Sequence, residues 1–266
     1  MNRNRLAVVT LCVLTAAGLT AGCGTTKDSA GGTPTTATSN AASPSPSAPA
    51  PKDALLASTK LLDEATFEFQ VKQAEQTAKG KLDPVKQMAA ITMSAKEEGA
   101  SLTMDVVVIG TDIYLKIDLG ATLNKQLGVN KAKWMVIDGT KLTNKDALPT
   151  DTTGGVIAND ILGGLVSVER VDETHFKGTV DLTKAENFGP DKDVLTKVGD
   201  KAKAVPFTAT LDTKGRLTEI KTDGTGVDPA LTIDMTFSNF GGAVSITKPA
   251  GATPAPAAVY GMLNAA

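Results

Sequence analysis

Cys23 is the side chain whose neighbours specify a reaction. It ends the run Thr20-Ala21-Gly22-Cys23, behind an apolar segment from Leu6 to about Leu19 and the basic residues Arg3 and Arg5. A positive n-region, an apolar h-region too short for a membrane span and a small-residue cleavage site make an export signal. A cysteine at that point accepts a diacylglyceryl group on its thiol. Cutting between Gly22 and Cys23 then frees an amino terminus that can carry a further acyl chain such as palmitate. At about 0.8 kcal/mol per buried methylene, two chains hold a protein stably on a membrane. The expected location is the extracytoplasmic face of the cell membrane, with the N-terminal lipid as anchor. Thr20 stands where such motifs usually carry leucine, and Leu19 is one place too early. Two competing readings stay open: a secretory cut near Ala17 or Ala21 that leaves Cys23 as a free thiol, and retention of the segment as an uncleaved anchor.

Cleavage also removes Cys12, so the exported part has one thiol, committed to lipid, and one histidine, His175. Zinc and copper sites of the usual kinds lack ligands, a Cys–His dyad cannot form, and no internal disulfide is available. No cofactor or metal is expected. His175 lies between Thr174 and Phe176 at the start of a strand, with no serine elbow or acidic partner read beside it. Asp181, Asp191 and Asp193 flank a helix start, where carboxylates cap N–H groups and meet the positive dipole end. Glu97-Glu98 precede Gly99 in an expected hairpin turn. Gly154-Gly155 and Gly163-Gly164 lack the spacing and lysine of a phosphate loop and read as helix ends, and Gly241-Gly242 as a turn or bulge. Trp134 either faces a ligand or plugs an edge of the core. These residues make no catalytic set, so binding rather than catalysis is the expected activity.

The elements that must position a binding site follow from apolar spacing. Residues 24 to 52 contain no Val, Ile, Leu, Met or aromatic, cannot bury a core, and predict a disordered Ser/Thr/Ala/Pro tether with a reach of roughly 30 Å. Asp53 to Ala65 predicts a first helix. Phe67, Phe69 and Val71 then alternate with polar residues, as in a strand with one buried face. Further strands are expected at Gln87–Ala95, Ala100–Ile109, Asp112–Leu119, Lys133–Ile137, Val168–Val171, Phe176–Leu182, Pro206–Asp212, Leu217–Thr222, Leu231–Phe240 and Ala243–Thr247. Helices are expected at Ala121–Leu127, Gly155–Leu165 and Pro190–Lys203. About ten meandering strands with inserted helices predict one α+β domain over residues 53–250: a strongly curved antiparallel half-barrel with helices on its concave face. Residues 251–266, rich in Pro and Ala, predict a loosely ordered tail.

Composition narrows the ligand. Of 27 basic and 29 acidic residues, Arg3 and Arg5 leave with the signal, giving a net charge of −4 and no case for nucleic acid. Aromatics are only 4% of the chain, which disfavours stacking platforms. The abundant Val, Ile, Leu, Ala and Met suit an aliphatic interior, either filled or enclosing a cavity, and close packing makes the filled form the more common.

Several passages together resemble the LppX/LprA/LprF/LprG lipoprotein family of actinobacteria, whose fold is related to the LolA/LolB lipoprotein carriers. They are the lipidation motif and tether, Asp112-Ile113-Tyr114-Leu115-Lys116 before Lys133-Trp134-Met135-Val136-Ile137-Asp138, and Gly178-Thr179-Val180-Asp181-Leu182-Thr183. Val205-Pro206-Phe207-Thr208-Ala209-Thr210-Leu211-Asp212 with Gly215-Arg216-Leu217 follows, then Ser238-Asn239-Phe240-Gly241 before Ile246-Thr247-Lys248-Pro249. The resemblance implies a LolA-like half-barrel enclosing an apolar pocket for acyl chains of a lipid or glycolipid, with 121–127 and 155–165 as a mobile rim. It implies carriage across or within the envelope, with an unidentified transporter as a further partner. The alternative is a non-carrier surface or structural lipoprotein with a filled core. Val106, Val108, Ile117, Leu123, Leu127, Ile157, Ile161, Leu162, Leu165 and Met235 are the expected cavity wall.

Overall fold

The computed structural model describes residues 49–97, 100–185 and 188–265. The lipidation site at Gly22-Cys23, most of the tether and the turn at Glu98-Gly99 lie outside the described residues. Strand β1 (Phe67–Gln73) buries Phe67, Phe69 and Val71 and exposes Glu68, Gln70 and Lys72. It begins an antiparallel meander through β2 (Gln76–Asp83), β3 (Met88–Glu97), β4 (Ala100–Ile109), β5 (Asp112–Asp118) and β6 (Met135–Ile137). A second meander runs through β7 (Leu165–Arg170), β8 (His175–Val180), β9 (Val205–Leu211), β10 (Leu217–Thr222) and β11 (Ile233–Ser238). Pairing of β1 with β11 joins the two, and β12 (Thr253–Pro254) adds a parallel edge to β6. The product is an α+β fold with one curved, unclosed sheet of 12 strands, in the order β12-β6-β5-β4-β3-β2-β1-β11-β10-β9-β8-β7.

Register places one side chain of every second residue on a common inner face. Phe69 opposes Phe237 and Gly80, Gly80 opposes Ile91, Ile91 opposes Val106, and Val106 opposes Leu115. This face is covered by α1 (Pro51–Lys60), with Leu55 fully buried, and by α3 (Gly154–Leu162), with Ile157, Ala158, Ile161 and Leu162 buried. Two inward glycines are required by ring packing. A Cβ on Gly80 would stand 2.7 Å from Phe69 Cε1, and one on Gly178 would meet the Ser167 carbonyl and the Phe207 ring.

The outer face carries a second, smaller core where β4, β5 and β6 lie. Val107, Tyr114 and Ile246 are buried there, with Trp134, Val136, Val244 and Ala252 packed around them. Residues 243–247, expected as a strand, instead cross this face without strand pairing, because their apolar groups cap Tyr114 rather than extend the sheet. The segment then enters β12 and α5 (Ala257–Ala265). Val259 and Leu263 are buried, the Tyr260 hydroxyl accepts the Asp138 N–H at 2.8 Å, and Asn264 accepts from Thr143 N at 2.8 Å. The expected loose tail is thus part of the folded domain, held by its apolar helix face.

Two further differences have local causes. The 155–165 segment ends as a helix at Leu162, after which Gly164 runs too close to the Asp181 carbonyl for any Cβ, and Leu165 starts β7. Likewise the 190–203 segment is α4 (Lys192–Val198) followed by a 3-10 stretch from Gly199, whose φ of +58° breaks the α-helix. Helix α2 (Gly120–Leu127) forms where expected.

Candidate functional site

The meander β1–β4 leaves the inner face incompletely filled at one end. Beyond Phe69, Gly80, Ile91 and Val106, the next inward residues are Val71, Ala78, Met93 and Met104, followed by Gln73, Gln76, Ala95 and Leu102. Ala78 and Ala95 are short, and the methionines are flexible, so the sheet here is poorly matched to a covering layer. With Leu119 and Phe188 they enclose a cavity of about 240 Å³. Val71 and Ala78 are buried, while Met93, Met104, Leu119 and Phe188 are half-buried.

A polar vestibule adjoins this apolar chamber. Gln73, Gln76 and Ala95 line both, and the vestibule, about 440 Å³, adds Ala74, Glu75, Lys96, Asp191 and Ala230. Gln73 is held in place by donating through Nε2 to the Ala230 carbonyl at 3.0 Å. The Ala74-Glu75 turn joining β1 to β2 puts Ala74 at φ +41°, a conformation that favours glycine. An apolar chamber beneath a mouth with amide, carboxylate and ammonium groups can hold an amphiphile: chain inside, headgroup at the rim.

None of the expected wall residues lines that chamber. Val106, Val108, Ile117, Ile157, Ile161, Leu162, Leu165 and Met235 are all buried in the main core, though Ile157 borders a smaller neighbouring chamber. Leu127 packs half-buried against the same core, and Leu123 points to solvent at 46% exposure. Of the two expected rim segments, α3 is packed into the core, and its start is anchored by the Gly155 N–H donating to Asp63 Oδ1 at 3.2 Å. Helix α2 is fastened through Asn124, which accepts from Leu119 N and donates to Asp118 Oδ1. Gln73, Gln76, Ala78, Met93, Ala95 and Met104 carried the signal instead: inward positions occupied by Ala, Met and Gln where a filled core would use Leu or Ile.

No family model and no curated protein matches this chain.

The remaining candidates have structural roles. His175 Nδ1 lies 2.8 Å from Asp172 Oδ1, so, contrary to expectation, it has an acidic partner three residues back. Both are more than half exposed in the β7–β8 turn. The Thr174 N–H first, then the His175 ring and N–H, hold the Asp172 carboxyl well below the usual carboxylate range. The pair closes a turn, with Asp172 accepting from the Thr174 and His175 N–H groups. Asp181 caps the 3-10 turn 182–184 through Thr183, while Asp191 occupies the N-cap position of α4 without a side-chain bond. Gly154 begins α3 rather than ending a helix, because it passes against the Leu62 carbonyl where a Cβ would clash. Asn239 and Gly241 carry the turn after β11 with positive φ.

Trp134 lies on the outer face, half-buried, with Lys116 Nζ 5.1 Å from the ring centroid. It lines a groove of about 640 Å³ with Lys79, Lys81, Gln70, Thr92 and Asp105. Lys116 pairs with Asp105 at 2.9 Å, and Thr92 donates to the same carboxylate. Larger than the inner cavity, this groove is a wet sheet face with its own charge pairs, so its size alone does not favour it. Among the described residues, no group of three His, Cys, Asp or Glu is placed to hold a metal, and no helix is long and apolar enough to cross a membrane.

Proposed function

We propose that this protein is a membrane-anchored lipoprotein that holds the acyl chain of a lipid or glycolipid in the inner cavity and carries it within the cell envelope. The observation that carries the reading is the adjacency of the apolar chamber and the polar vestibule, which share Gln73, Gln76 and Ala95 as lining. Burial of a methylene chain there gains roughly 25 cal/mol per Å² of apolar surface, and a solvated headgroup avoids desolvation at the rim. The curved open sheet with helices over its inner face supports the LolA-like half-barrel, and the resemblance noted in the sequence supports carriage. In this reading Cys23 supplies the anchor and the tether lets the domain approach a membrane without leaving it.

Native mass spectrometry of the tether-deleted domain, purified from its own host, with lipid extraction of the same sample, tests the proposal. The expected result is a bound species that releases an acyl lipid on denaturation. A ligand-free domain that also takes up no added fatty acid or glycolipid would contradict it. A second reading, a surface interaction module, is favoured by the outer groove with its open Lys79 and Lys81 ammonium groups. That module would bind a polar partner and no acyl chain.

A further inference from the structure

Phe188 lines two cavities. On one side it closes the 240 Å³ chamber with Met93, Met104 and Leu119. On the other it lines a chamber of about 180 Å³ with an apolar side of Ile91, Leu148, Pro149, Val156 and Ile157 and a polar side of Lys145, Asp146, Thr150 and Asp151. The chambers are neighbours along the sheet, because Ile91 and Met93 are successive inward residues of β3. Each alone is smaller than the roughly 300 Å³ at which small-molecule pockets begin, whereas together they hold about 420 Å³, within the usual range.

The backbone at Phe188 is tied to α3. Phe188 N–H donates to Asp160 Oδ2 on α3 at 2.8 Å. Gly189 follows, packed so closely that a Cβ would stand 2.6 Å from Ala185 Cβ, and Pro190 is buried. The half-buried ring stands between the chambers, and a change of its rotamer would join them.

We propose that Phe188 is a partition that sets the length of acyl chain the site holds. A short chain ends against the ring. A longer chain gains from the second chamber only when the ring turns aside. The inference rests on the acyl-chain reading of the inner cavity and adds to it a residue that decides among chain lengths.

The test uses the delipidated mature protein, with even-numbered saturated fatty acids from octanoate to stearate as probes and isothermal titration as readout. Wild type, Phe188→Ala and the milder Phe188→Leu are compared, each checked for folding by circular dichroism. In wild type, affinity rises by about fourfold per added methylene over the shorter acids and then levels off. In both variants the rise continues, so stearate binds more tightly than to wild type while octanoate is little changed. Identical length profiles in the folded proteins overturn the partition and leave acyl binding standing. Failure of every acid to bind any of them overturns both.

Discussion

Replacing Ala78 by leucine separates a real void from a packed core by the sign of its effect. Ala78 is buried on the inner face of β2, between Val71 and Met93, and lines the 240 Å³ chamber. Leucine adds three carbons, which at about the ~30 Å³ liquid volume of a water each occupy less than half of that space. Their burial contributes up to about 2 kcal/mol at roughly 0.8 kcal/mol per methylene. In a fully packed site the same insertion costs about 1–3 kcal/mol. The expected outcome is an unchanged or higher urea midpoint, together with weakened binding of a fluorescent fatty acid because its place is taken. Equilibrium urea unfolding and a fluorescence titration on the delipidated protein measure the two effects. A variant destabilised by more than about 1 kcal/mol that still binds the probe like wild type refutes the cavity argument.

Ala74→Gly relieves the φ of +41° at the β1–β2 turn and is expected to stabilise by about 1 kcal/mol, read as a raised urea midpoint; no gain would show that the alanine carries no strain. Leu263→Ala in α5, where the side chain is 2% exposed, is expected to cost about 2–5 kcal/mol in the same assay. A loss under about 0.5 kcal/mol would return the C-terminal helix to the status of an appendage. The carboxyls of Asp118, Asp138, Asp172, Asp223 and Asp228 are all held below their ordinary value of 3.8, mainly by hydrogen bonds from Asn124, Thr140, Thr174, Thr225 and Ala230 respectively. A depressed folded value means stability that is present above that ordinary value and lost as pH falls below it. The urea midpoint is therefore expected to hold through the mildly acidic range and decline only below about pH 4. A decline beginning near neutrality would point to other groups.

The sequence disclosed most where one sheet face is wet. Phe67-Glu68-Phe69-Gln70-Val71 and Pro206–Leu211 alternate because their inward residues enter the core and their outward ones meet water, and both are strands where expected. Strand β2 was not legible. Its inward residues are Gln76, Ala78, Gly80 and Leu82, and Gly80 exists to admit the Phe69 ring, a tertiary demand that looks locally like a turn. The C-terminal helix was hidden by Pro254 and Pro256, which suit an edge strand and a helix entrance as well as a tail. For the site, the choice of Val, Ile and Leu as cavity wall ran against packing physics. Those are the side chains that fill space best, and Val106, Val108, Ile117, Ile161, Leu162 and Leu165 are packed in the core. The void formed where Ala78, Ala95, Met93 and Met104 share a face, a coincidence of register across three strands that spacing along one strand does not reveal.

The central claim, an acyl chain in the inner cavity beside Phe188, is tested most directly by contact quenching with a brominated stearic acid. Trp134 is the sole tryptophan and lines the outer groove, so wild type reports on that face. A Trp134→Phe, Phe188→Trp double variant moves the reporter to the inner chamber. The account predicts saturable quenching in the double variant and none of Trp134 in wild type. Quenching of Trp134 with none at position 188 would contradict it and place the chain on the outer face of the sheet.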